Sequence, residues 1–176
     1  MAQDALRRRY TYLWTGEATA ACVFATLLLW SAYRDGLWQH WIARGYSVGV
    51  VIVILLQGIV WWRWKLRLLD MHQRHMPAQV LHTFVRWRRI NWLLIGLFPL
   101  VVVLATRFTQ QPLVSRDTLL GLLFLGGAVL EQINYYYVQL MYDSAYDWAY
   151  LRTHRRLRRG TVAKALDGAP SSAQRF

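Results

Sequence analysis

Four apolar stretches, at about residues 13–33, 46–64, 90–108 and 118–142, constrain this chain more than any other feature. The hydrocarbon core of a bilayer is about 30 Å thick, so a helix rising 1.5 Å per residue needs roughly 20 apolar residues to cross it. No water is present there to pair backbone N–H and C=O groups, and a helix lets one segment pair its own. The fold expected is all-α, with four transmembrane helices in a single unit over residues 1–164. Residues 165–176 read as a disordered tail.

Charge supplies the topology. Of 21 Lys and Arg, three lie in Arg7–Arg9, seven between Arg63 and Arg89 and seven from Arg152 onward. Only Arg34, Arg44, Arg107 and Arg116 fall in the two short remaining loops. This imbalance predicts both termini in the cytoplasm, in a membrane of bacterial inner-membrane type. The net charge of +12 is therefore a topology signal, and nucleic acid is not an expected partner. The expected partners are the bilayer, a second copy or another membrane protein, and anionic lipid at Arg7, Arg8, Arg9, Arg86, Arg88, Arg89, Arg155 and Arg156.

The single cysteine, Cys22, excludes an internal disulfide, a CxxC redox centre and a cysteine metal cluster. Arg7–Arg9 precede an apolar run too long for a cleavable signal, so this run is read as span one. His72, His75 and His82 share the loop after span two with Asp70, without a third ligand in a fixed frame. No histidine falls within a span, which argues against b-type haem. No cofactor is assigned.

Between spans two and three, helix two is expected to continue past Leu69 until Pro77 stops it. Val80, Leu81, Phe84 and Val85 then form an apolar stripe, predicting a separate amphipathic helix on the cytoplasmic membrane surface. Pro99 interrupts span three. After span four the helix is expected to run on into the cytoplasm, with Gly160 as its stop and Asp143 and Asp147 one turn apart along it.

The chemistry-bearing residues are polar side chains inside the spans. Glu131 lies fourteen residues after Asp117, about 21 Å along span four. Gln57 lies at a similar depth in span two, and Asn91 and Glu17 are nearer the cytoplasmic edge. Glu131, Asn134 and Tyr135 share a helix face, with Gly127 and Ala128 one turn before them. These six residues, Glu17, Gln57, Asn91, Glu131, Asn134 and Tyr135, are expected to form one polar layer in the inner half of the bundle. The outer halves offer nothing comparable.

An ionised glutamate at this depth costs several kcal/mol unless paired, hydrated or protonated. The structural alternative is an ion pair with Arg63 or Arg89. The leading expectation is a homo-oligomer whose Glu131 site binds a proton, cation or small ligand in transport. The runner-up is an accessory subunit binding a partner or anionic lipid through its basic surface. A membrane enzyme acting on lipid or quinone ranks third, for lack of a nucleophile with its base or a phosphate loop.

Overall fold

The computed structural model describes residues 2–36, 38–73, 75–142 and 145–167. Its regular elements are helical: α1 (Ala2–Asp35), a 3-10 turn at Trp38–His40, α2 (Ile42–Asp70), α3 (Ala78–Thr109), α4 (Arg116–Tyr136), α5 (Ala145–His154) and α6 (Thr161–Asp167). The first four α-helices are each long and apolar enough to cross a membrane. The second half of the Asp143–Asp147 pair is helical backbone; its side chains, and the tail from 168, lie outside the described residues.

Local chemistry sets the helix ends. Ser115 is extended and its hydroxyl accepts from Thr118 N–H at 3.1 Å, capping α4. His72 takes a left-handed conformation after α2, and Gln73 N–H returns to Leu68 C=O at 2.9 Å, consuming a carbonyl the helix would leave open. Helix two thus stops at Asp70, short of Pro77. Pro77 instead opens α3, its carbonyl accepting from Val80 and Leu81 N–H.

The central helix is α2, which packs against α1, α3 and α4. Half of its apolar window is buried inside the molecule, against 6% for α1 and 11% for α3. Leu29 on α1, Leu93 and Leu100 on α3 and Leu123 on α4 are exposed, as suits helices whose outer faces meet lipid. α2 and α4 approach closely at Gly121, where a Cβ would lie 3.0 Å from the Ala43 carbonyl carbon. Gly127, expected to allow close approach, has open space beside it, while neighbouring Ala128 is fully buried.

Two expected elements differ. The stripe Leu81, Phe84 does not belong to a separate surface helix, since residues 78–89 are the first turns of α3 itself. Both side chains are buried against Trp61 and Val162, so a protein core claims the stripe before the membrane surface does. Helix four also does not run on. It ends at Tyr136, where Asn134 Oδ1 accepts from Leu140 N–H at 2.9 Å and turns the chain away.

The chain then returns as a fold-back. Val138 bridges Arg159, Gln139 N–H donates to Arg158 C=O, and Gly160 N–H donates to Tyr137 C=O at 2.9 Å. α6 follows and inserts Val162, fully buried, beside Trp61 and Phe84. Trp61 Nε1–H donates to Thr161 Oγ1 at 3.1 Å. Gly160 is thus not the stop of a long helix but the contact point on the end of α4. A Cβ there would stand 2.5 Å from the Tyr135 carbonyl oxygen, a backbone atom that cannot yield. α6 also extends helix to Asp167, beyond the unit boundary at Lys164.

Replacing Gly160 by Val is expected to lift α6 off α2 and α3 and cost about 1–3 kcal/mol. Gly126→Ala, with open space around it, should be neutral or slightly stabilising. Thermal unfolding of the two variants in detergent checks this; equal losses contradict the docked fold-back.

Candidate functional site

The six residues expected in one layer separate into two environments. The first is a dry amide node. Gln57 Nε2 donates to Asn91 Oδ1 at 2.9 Å, and Asn91 Nδ2 donates to Gln57 Oε1 and Gln132 Oε1, each at 2.8 Å. Tyr136 hydroxyl donates to Gln57 Oε1 at 3.0 Å, and Gln132 Nε2 to the Arg88 carbonyl at 3.1 Å. Asn91 and Gln132 are completely buried. These bonds join α2, α3 and α4, and both amide hydrogens of Asn91 are in use. Gln57 and Asn91 therefore serve one another and stand apart from Glu131.

The second environment is a cavity of about 320 Å³ at the end of the bundle where α1 begins. Glu17 on α1 and Glu131, Asn134 and Tyr135 on α4 line it. Tyr135 hydroxyl donates to Glu17 Oε1. To do so it crosses α2 at Gly58, where a Cβ would stand 2.7 Å from the Tyr135 ring carbon Cζ and 3.3 Å from the Glu17 carboxyl carbon. Gly58 is thus a positioning residue that sequence reasoning missed; its signal was a glycine inside a run of Val, Ile and Leu beside Gln57. Tyr10 and Trp62 stack at 5.8 Å on another wall.

The cations of this cavity are Arg9, Lys65, Arg158 and Lys164. Neither Arg63 nor Arg89, the pair partners expected for Glu131, lines it; Arg63 lies on a separate surface with Trp14, Arg67 and Asp70. Arg158, Thr161 and Lys164 come from the fold-back, so the segment expected as a helical extension supplies part of the wall instead. Among the described residues, no three metal-binding side chains gather, and His72 and His75 stay in the α2–α3 connection.

The far end of the bundle holds a third polar group, where the sequence suggested none. Arg44 pairs with Asp35 and Asp117 and also donates to the His40 carbonyl at 2.8 Å. Asp117 accepts from Ala43 and Arg44 N–H at 2.7 and 3.2 Å, capping α2 from a neighbouring helix. Arg44 and Asp117 are both buried. Their positions at predicted span edges hid them, since an edge charge ordinarily faces water.

The two ends match in length. Eighteen residues separate Asp35 from Glu17 on α1, and eighteen separate Asp117 from Tyr135 on α4, about 27 Å in each case. Arg44 ties one end of this pair and the Tyr135–Glu17 hydrogen bond the other. Between them Ala21, Val50, Ile54 and Ala128 are buried in one apolar cluster. The cavity is thus a pocket at one end of the bundle.

No family model, curated protein or solved structure matches this chain. Function has to be argued from the cavity itself.

Replacing Asn91 by Leu strands the amides of Gln57 and Gln132, at about 1–3 kcal/mol for each unpaired group. The combined variant Q57L/N91L/Q132L/Y136F removes both sides of every side-chain to side-chain bond, losing only the further contact to the Arg88 carbonyl, and should be more stable than Asn91→Leu alone. Denaturant titration in detergent micelles measures this, and strictly additive losses contradict a closed node.

Proposed function

We propose that this chain is a membrane-embedded binding protein whose cavity holds a small ligand through a protonated amine, or a proton, at Glu17 and Glu131. The observation that carries it is the meeting of these two acids, from the first and last spans, on one cavity wall. Two carboxylates in the lining of one cavity within a bundle favour a bound positive charge, because an acid at that depth needs a counter-charge or a proton. Tyr135 orients Glu17, and Asn134 lies beside Glu131 on the same wall. The stacked Tyr10 and Trp62 offer aromatic faces to a cation.

The basic end is taken as cytoplasmic from the distribution of Lys and Arg, so the cavity opens inward. Its use is transport by a homo-oligomer. Within one chain the apolar cluster around Ile54 and Ala128 stands between the cavity and the far end, so a path is formed between copies. Gln57 and Asn91 act in this scheme by holding α2, α3 and α4 in register.

A second reading, an accessory subunit, is supported by the open surface formed by Tyr150, Arg156, Arg159 and their neighbours. Together with Arg7–Arg9 and Arg86–Arg89 this surface suits an anionic partner or lipid.

Ethylammonium and tetraethylammonium titrated into lightly buffered, detergent-solubilised protein test the first reading. Binding with proton release is expected, and Glu131→Gln should weaken it about tenfold or more, some 1.4 kcal/mol, and abolish the release. Equal affinity and equal release in both proteins would sink it.

A further inference from the structure

The cavity wall is more than an acid pair. Besides Glu17 and Glu131 it is lined by four cations, two of them delivered by the fold-back. Arg158 is fixed by backbone bonds on both sides, its carbonyl accepting from Gln139 N–H at 2.8 Å and its N–H donating to Tyr142 hydroxyl at 2.9 Å. Lys164 rides on α6, anchored by Val162. Both also face the adjoining basic surface. The remaining wall is apolar at Leu13, Trp62 and Met141.

Building on the binding role of Glu17 and Glu131 proposed above, we infer that the ligand is a zwitterion carrying a phosphate beside its ammonium: the phosphoethanolamine group. A cavity lined by side chains of both signs matches a zwitterion, its ammonium on the carboxylates and its oxyanion on Arg158 and Lys164. More than one cation lines the cavity, which suits an anionic pole with several oxygens, and the arginine fork matches phosphate geometry. The volume, about 320 Å³, is at the lower end of the range for small-molecule sites. It takes a free phosphoethanolamine, or a lipid headgroup with the start of its chains against Leu13 and Met141.

Calorimetric titration of the full chain with phosphoethanolamine, ethanolamine and glycerol phosphate ranks the whole ligand against its two halves. Phosphoethanolamine is expected to bind at least tenfold more tightly than either half. R158Q/K164Q should remove its advantage over ethanolamine, and E131Q its advantage over glycerol phosphate. Native mass spectrometry after purification with mixed lipids covers the other source: retention of phosphatidylethanolamine over phosphatidylglycerol assigns the group to a lipid. Weak free ligand with retained phosphatidylethanolamine therefore supports the inference, as does tight free ligand alone.

Ethanolamine binding as tightly as phosphoethanolamine, with no preferred lipid, overturns the zwitterion and leaves the amine site standing. Failure of every ammonium compound and lipid overturns both. Should R158Q/K164Q fail to fold, the ranking on the unaltered protein decides alone.

Discussion

A bilayer offers no solvent for a stray polar group, and the bundle answers this constraint by joining its helices through the groups that most need partners. Gln57, Asn91 and Gln132 pair with one another across α2, α3 and α4, and Tyr136 closes the set. At the far end Arg44 pairs with both Asp35 and Asp117, and Asp117 caps α2. A shift of any one helix by a turn would strand several of these groups together, at about 1–3 kcal/mol for each neutral one. Apolar packing against lipid has no such discrimination, because a leucine meets another leucine or an acyl chain on similar terms. The polar contacts therefore set register, and the register brings Tyr135 past Gly58 to Glu17.

The four long helices were legible because their length and hydropathy answer to the thickness of the membrane alone. The start of a helix after Pro77 also carried a local signal. The fold-back did not, since residues 145–154 are helical whether or not they continue α4, and what ends α4 is a side chain, Asn134, bonding six residues ahead. The site was legible in part. Depth counted along each span placed Glu131 and Gln57 at one level, but depth says nothing about rotation. Gln132, one residue from Glu131, faces the amide node while Glu131 faces the cavity, and that difference of about 100° decides which is buried dry. Arg44 and Asp117 escaped notice because their pairing joins residues more than seventy apart.

This division gives the cavity its character. Amides, which are easily satisfied by one another, lie in the interior, and Glu17 and Glu131 line the cavity at the basic end. The segment after α4 completes the wall through a bridge at Val138, the close approach of Gly160 and the burial of Val162. The acids of the wall thus come from α1 and α4, and two of its four cations from the fold-back.

The most direct measurement is cysteine accessibility across that division. With exposed Cys22 replaced by Ala, single cysteines at Glu17, Glu131, Asn91 and Gln132 are treated with a water-soluble maleimide in detergent micelles and in vesicles of both orientations. Rapid labelling at Glu17 and Glu131 from one face, with Asn91 and Gln132 protected until the protein is unfolded, is the result expected. Equal reactivity at the four positions, or labelling of Gln132 ahead of Glu131, would contradict a cavity separate from the amide node.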